Sequence, residues 1–176
     1  RLGLGVMGIA DMLNQLGIGY DSQEGIDIIS KVMEFATNAA YQASASLAAE
    51  KGPSPIFEEE KYMECPFIEE ALSDETIKLI RDNGIRNIAI MSIAPTGSIS
   101  NIVLSYVNDD KNYIGVSSGV EPIFAIFYNR RSESFNNKFF KVFHSSVQAY
   151  IDKMDINEQV ENTENLNDVL PDYMMR

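Results

Sequence analysis

The sequence predicts an α/β fold in which helices alternate with strands and the strands pair in parallel. Three observations carry this. Ile88-Ala89-Ile90-Met91-Ser92-Ile93 is an apolar run of strand length that follows a helical segment ending at Gly84. The stretch from Gln23 to about Lys51 repeats apolar residues at intervals of three and four. Ile123 to Tyr128 is a second strand candidate, and Phe139 to Met154 reads as a helix after it. With 45% hydrophobic residues in 176, the chain can bury a core as one domain or as part of a larger one.

Taken in order, Leu2 to Ile9 is apolar and glycine-rich. Its Gly3-Leu4-Gly5-Val6-Met7-Gly8 matches the three-glycine dinucleotide pattern in spacing. No strand precedes Gly3, however, and the acid expected about 20 residues on falls near Glu24, at a helix start. A glycine-rich strand lying close to a neighbour is the better reading. Ala10 to Leu16 is a short helix ended by Gly17. Ser22 is an N-cap for the long helix to Lys51, with Ile29, Val32, Ala36, Ala39, Ala43 and Leu47 as its buried face and Gly52-Pro53 as its end. Residues 53–72 read as irregular, with Glu58-Glu59-Glu60 a solvated edge. Ser73-Asp74-Glu75 opens a helix to Asn83, closed by Gly84. The strand at 87–93 follows, and the polar 105–116 stretch is a surface loop or hairpin. From Asp155 the composition turns to Asn, Glu and Asp. Residues 1–154 therefore read as an α/β domain, and 155–176 as a polar, weakly ordered tail.

Composition excludes several function classes. Net charge is −12, with 26 acids against 14 bases, and Arg130-Arg131 is too short a basic spot for a nucleic-acid backbone binder. No window approaches the roughly 18 unbroken apolar residues of a membrane span. No secretory signature is present, so the expectation is a cytoplasmic protein without membrane or nucleic-acid partners. The first residue is Arg1 and an apolar segment begins at once, which suggests a piece of a longer chain. One cysteine, Cys65, and one histidine, His144, rule out an intrachain disulfide and a Cys/His zinc site, and no metal site is expected. Cys65 lies in a loop-like Met63-Glu64-Cys65-Pro66 and His144 on the expected helix; both read as structural.

The chemistry concentrates in Ile93-Ala94-Pro95-Thr96-Gly97-Ser98-Ile99-Ser100. Pro95 fixes φ and removes a donor, which forces a sharp exit from the strand. Gly97 lets a ligand approach the backbone. Thr96, Ser98 and Ser100 add hydroxyls, and a following helix would aim free N–H groups and its dipole at an anion. The motif lacks the Gly-Lys-Ser/Thr ending of a Walker loop. Residue types alone leave two readings open: an anion site, or an ordinary strand-to-helix turn with a serine N-cap. Ser117-Ser118-Gly119-Val120-Glu121-Pro122 is a turn entering the next strand, and Glu121 there is either a hydrogen-bonding anchor or a site residue.

Together, Arg1-Leu2-Gly3-Leu4-Gly5-Val6-Met7-Gly8, Ile85-Arg86-Asn87, the 93–100 turn, and Ser117-Ser118-Gly119-Val120-Glu121-Pro122-Ile123-Phe124-Ala125 with Tyr128 and Arg130-Arg131 resemble the later part of the ribonucleotide reductase catalytic subunit. The adenosylcobalamin-dependent class is the most similar. The resemblance spans residues 1–131 and, more loosely, the rest. It implies the later part of a ten-stranded α/β barrel and an enzyme that converts ribonucleotides to deoxyribonucleotides by cysteine-radical chemistry. It also implies adenosylcobalamin in the complete enzyme and a ribonucleoside di- or triphosphate substrate. The partners it implies are the remainder of the reductase chain and, when complete, further copies of itself. By resemblance, Thr96, Gly97, Ser98, Ile99 and Ser100 hold the substrate phosphates, with Pro95 and Glu121 adjacent to the site.

The departures matter as much. The family's radical cysteine on a finger loop and its redox cysteine pair have no counterpart here, so no catalytic residue is assigned and Cys65 takes no such role. The Ser100-to-Ser117 spacing is longer than the family pattern, as if 105–116 were inserted. The isolated chain is expected to be inactive. Two alternatives stand beside this reading: origin in a di-metal, tyrosyl-radical reductase, which shares the Pro-Thr-Gly-Ser turn, or a non-catalytic phosphate-binding or assembly module.

Overall fold

A computed structural model describes residues 1–108, 111–119, 125–132 and 138–175. It divides into two compact units: Arg1–Gly5 with Asp27–Ile93, and Val6–Ile26 with Ala94–Arg176. Helices and strands are mixed, as an α/β chain requires. Among the described residues, however, the only parallel pairing is one bridge, and both strand ladders are antiparallel.

In the first unit, Leu2–Gly5 runs beside 89–92 as an extended parallel pair bridged at Leu4 and Met91. Leu2 N–H donates to the Ala89 carbonyl (2.7 Å), Leu4 N–H to Ile90 (2.8 Å), and Ser92 N–H to Leu4 (2.8 Å). The approach is so close that a Cβ on Gly5 would collide with the Ser92 carbonyl oxygen. This supports the expected glycine-rich strand, although each partner is extended backbone with a single bridge and not a full strand.

The long helix α2 (Gln23–Lys51) starts where Ser22 predicts, its Oγ accepting from Gly25 N–H at 3.0 Å. Its buried face differs from the expected stripe: Thr37, Tyr41, Ser44, Ala45 and Ala48 are buried, whereas Val32, Ala39, Ala43 and Leu47 are exposed. The reason is polar. Ser44 Oγ donates to Asn87 Oδ1 (3.1 Å) and accepts from Asn87 N–H (3.0 Å), and its carbonyl takes Arg86 N–H (3.2 Å). Backbone can approach that closely only on the small-residue face.

Residues 53–72, expected to be irregular, hold two short helices, α3 (Glu59–Met63) and α4 (Pro66–Ala71); Pro66 at N1 suits a helix start. Glu58, Glu59 and Glu60 are exposed, as expected. Helix α5 (Asp74–Asn83) has its Ser73 cap and ends at Gly84. Its Thr76 hydroxyl is fully buried but satisfied, donating to Asn38 Oδ1 (2.8 Å) and accepting from Gln42 Nε2 (2.9 Å). Tyr41, Ala45, Ile68, Leu72, Ile80, Ile85 and Ile90 form the core.

The second unit opens with α1 (Ile9–Leu16), ended by Gly17 as expected. A single 3₁₀ turn, Ile99–Ile102, precedes a hairpin of β1 (Leu104–Asn108) and β2 (Lys111–Ile114), so the hairpin alternative holds for 105–116. A second hairpin pairs β3 (Phe127–Ser132) with β4 (Lys138–Phe143). The strand expected from Ile123 is thus seen from Phe127, and Ile123 and Phe124 lie outside the described residues. The helix expected over 139–154 is corrected: Phe139 to Phe143 are strand, and α6 runs only Ser145–Met154. A short apolar run suits either state, and here pairing with β3 decides.

The segment expected as a weakly ordered tail is structured. It carries α7 (Asn157–Asn162), a 3₁₀ turn and α8 (Asp172–Met175). Val160, Leu166 and Leu170 join Val147 and Ile151 of α6 in the core of this unit. Lys141 on β4 adds bonds to the carbonyls of Val160 (2.8 Å) and Thr163 (3.2 Å) at the α7 C-terminus, where a cation is favoured. Asp152 on α6 accepts from Lys111 Nζ (2.8 Å), Tyr113 OH (2.7 Å), Gln148 Nε2 (2.9 Å) and Asn157 Nδ2 (3.3 Å). Partial burial opposes its ionisation, but these donors together outweigh it and hold the carboxyl down at about 2. The same bond, ahead of burial, pushes the Tyr113 phenol up to about 12.

Leu170→Ala is expected to destabilise the chain by about 2–5 kcal/mol, read as a lower urea midpoint; an unchanged midpoint would restore the disordered-tail reading. The stability lent by Asp152 is present above the unfolded value of 3.8 and is lost as pH falls through about 2. Asp152→Asn should therefore show a smaller drop in urea midpoint between pH 5 and pH 2 than the parent chain.

Candidate functional site

The 94–100 turn belongs to the second unit. Pro95 is exposed, Thr96 half-buried, Gly97, Ser98 and Ile99 exposed, and Ser100 buried. No α-helix follows: the 3₁₀ turn runs directly into β1, so the helix dipole invoked from sequence is absent. What remains is backbone. Ser100 N–H closes on the Thr96 carbonyl (3.0 Å) and Asn101 N–H on Ser98 (3.3 Å), while Asn101 Nδ2 donates to the Gly97 carbonyl (2.6 Å). Among the described residues, the N–H groups of Gly97, Ser98 and Ile99 have no acceptor. Three consecutive exposed donors without protein partners are an arrangement suited to an anion. The Ser100 amide, by contrast, is already used inside the turn.

Thr96 has φ 41°, left-handed and uncommon for a β-branched residue. Its Oγ1 accepts from Gly119 N–H at 2.9 Å, and that bond joins the 94–100 turn to the Ser117–Gly119 segment. Gly119 lies against the carbonyls of Ala94 and Val6, with no room for a side chain. Glu121 lies outside the described residues, and its two readings are unchanged.

Sequence reasoning passed over the group that anchors this segment. Asp11, in the first turn of α1, is 3% exposed, and its Oδ2 accepts from Ser117 N–H at 2.5 Å. Gly8 N–H donates to the Ser117 carbonyl (2.9 Å) and Ala10 N–H to Ser117 Oγ (3.2 Å). The available signal was an acid on the same helical face as Ala10, Leu13 and Asn14, where only a partnered carboxylate is tolerated. The other oxygen, Oδ1, has no hydrogen bond among the described residues; His144 Nδ1 stands 3.5 Å away and also contacts Ser146 Oγ at 3.2 Å. His144 is the N-cap residue of α6, not a residue within the helix. Burial lowers its pKa from the usual 6.5, against the opposing pull of Asp11.

Cys65 is a free, exposed thiol at the N-cap position of α4 in the first unit. Among the described residues no group of three His, Cys, Asp or Glu is placed to hold a metal ion, and no helix is long and apolar enough to cross a membrane. Two cavities among the described residues lie in the second unit. One of about 250 Å³ lies between Asn14, Tyr106, Tyr150, Lys153 and Tyr173; another of about 380 Å³ is lined largely by apolar residues such as Met7, Met12 and Val103. Neither is lined by the 94–100 turn.

Residues 1–174 match the family described as "Ribonucleotide reductase, barrel domain". The chain belongs to that family. Among its relatives, the vitamin B12-dependent ribonucleoside-diphosphate reductase of Mycobacterium tuberculosis is 35% identical over 130 residues, covering 74% of this chain and 15% of the relative. The protein of the same name from Thermoplasma acidophilum is 38% identical over 74% of this chain and 13% of its own length. The ribonucleoside-diphosphate reductase subunit alpha of Helicobacter pylori is 33% identical over 70% of this chain and 16% of its own. The chain thus spans about a seventh of the length of the relatives it matches.

An unfolded chain takes a proton on His144 near pH 6.5, whereas the folded chain resists it. This contribution to stability is fully present above pH 6.5 and declines as pH falls toward the lower folded value. The urea midpoint should drop between pH 7.5 and pH 5, and His144→Gln should reduce that drop; an identical drop in the variant would contradict the assignment.

Proposed function

We propose that this chain is part of a ribonucleotide reductase that converts ribonucleotides to deoxyribonucleotides, and that it supplies the cradle for the substrate phosphates. The observation that carries the proposal is the run of exposed N–H groups at Gly97, Ser98 and Ile99, unpartnered among the described residues and held beside the left-handed Thr96 in a member of the reductase barrel family. Thr96 to Ser100 form the cradle, with Pro95 and Glu121 adjacent. Backbone donors bind an anion without a lysine, which suits a turn in a chain of net charge −12. A ribonucleoside diphosphate is the favoured substrate, because the relatives carry that word in their names.

The helices and strands described here contribute to a ten-stranded α/β barrel that other segments of the complete enzyme close. Reduction of a ribose hydroxyl consumes two electrons, and one cysteine cannot cycle between dithiol and intrachain disulfide. The radical and redox cysteines therefore come from outside these 176 residues, and the chain by itself is inactive. Adenosylcobalamin is the radical source suggested by the vitamin B12-dependent relatives. Neither of the two cavities named above fits it. Pockets for drug-sized ligands reach about 1,000 Å³, a corrin is larger still, and the cavities here are about 250 and 380 Å³. His144 is half-buried, with its Nδ1 3.5 Å from Asp11 Oδ1 and 3.2 Å from Ser146 Oγ, and is no free ligand. The complete enzyme is cytoplasmic and homo-oligomeric in this reading.

Gly97→Val tests the cradle cleanly. A Cβ at Gly97 meets nothing within 4 Å, and its φ lies outside the left-handed region, so the variant should fold as the parent does. In the complete reductase chain it should raise KM for a ribonucleoside diphosphate by at least about tenfold, the order of one lost charge-assisted contact. Binding of the unphosphorylated nucleoside should be unchanged. An unaltered diphosphate KM would remove the phosphate reading.

A further inference from the structure

We infer that Asp11 is a positioning residue for the phosphate turn, holding Thr96 in its left-handed conformation through Ser117 and Gly119. The inference rests on the phosphate-cradle reading. A β-branched residue at φ 41° is held against a cost of about 1–3 kcal/mol, and such a conformation persists only where its surroundings impose it. Two bonds impose it here. One, from Ser100 N–H to the Thr96 carbonyl, lies within the turn and moves with it. The other, from Gly119 N–H to Thr96 Oγ1, comes from outside and is only as rigid as the segment that supplies it.

That segment is clamped by the start of α1. Three bonds converge on Ser117, from Gly8 N–H, from Ala10 N–H, and to Asp11 Oδ2. The carboxylate bond is the shortest of the three at 2.5 Å and the charge-assisted one, made where water is nearly excluded. Two residues further on, Gly119 is wedged between the carbonyls of Ala94 and Val6, so it cannot slide without disturbing the entry to the turn. Asp11 thus fixes Ser117, Ser117 delivers the Gly119 amide, and that amide fixes the side chain of Thr96. The three unpartnered donors begin at the next residue. Among the described residues no hydrogen bond or ion pair joins Asp11 to the turn, so its action on the ligand is indirect.

The test uses the complete reductase chain with a ribonucleoside diphosphate. Asp11→Ala should raise KM about tenfold, with kcat changed by less than about twofold. Asp11→Asn keeps an oxygen acceptor for Ser117 N–H and should recover most of this, leaving KM about threefold above the parent. Asp11→Asn combined with Thr96→Val should be no worse than Thr96→Val alone, because both cut one chain of contacts. Wild-type KM in Asp11→Asn, or additive effects in the double variant, would overturn the inference. If Asp11→Ala does not fold, Asp11→Asn and the cycle decide. Gly97→Val separates the two failures: an elevated KM there beside a normal KM in Asp11→Asn sinks the positioning role alone, whereas a normal KM in Gly97→Val sinks the cradle itself.

Discussion

A carboxylate removed from water must be given donors, and in the second unit that requirement shapes the site. Asp11 sits on the buried face of α1, and it meets the requirement with the backbone N–H of Ser117. The loop after β2 is drawn onto the helix start as a result. Once Ser117 is held, the Gly119 amide is committed to Thr96, and the turn at 94–100 takes a conformation that its own residues would not favour. The energetic order is clear. A charge-assisted bond in a nearly dry environment contributes about 1.5–3 kcal/mol, comparable with the cost of one left-handed threonine. The anchor can sustain the strain.

The first unit solves a different problem by similar means. Its glycine-rich segment approaches 89–92 so closely that side chains are excluded on one side, and Ser44 on α2 fastens residues 86–87 with three bonds, two of them from backbone N–H groups. In both units, irregular backbone carries as much of the organisation as regular ladders do. Polar side chains satisfy that backbone: Asn38 and Ser44 in one unit, Asp11 in the other. Asp152, unlike Asp11, collects donors from several elements, all of them side chains on β2, α6 and α7, so it fastens elements to one another. Asp11 fastens a loop.

Helix ends marked by local chemistry were legible in the sequence. Ser22, Gly17, Ser73 and Gly84 mark their boundaries because caps depend on one or two neighbouring residues. Elements defined by distant partners were not. Phe139 to Phe143 read as helix because a short, mostly apolar run fits both periods, and only β3 makes it a strand. The acidic, amide-rich composition after Asp155 hid Val160, Leu166 and Leu170, three apolar residues spread thinly along the chain yet all buried against α6. On α2 the apolar spacing pointed to the Ile29–Leu47 stripe, and hydrogen bonding at Ser44 buried a neighbouring face instead.

The candidate site divides in the same way. The sequence by itself determined the reductase-barrel membership, the turn at 94–100 and the shortage of cysteines, since these are matters of residue identity and order. It could not show that the turn lacks a helix behind it, that Thr96 is left-handed, or that Asp11, 106 residues before Ser117, is bonded to it. Those depend on which backbone groups find partners when distant segments meet. Local chemistry marks where the chain can turn, and only the folded arrangement of donors and acceptors decides which amides remain free to bind an anion.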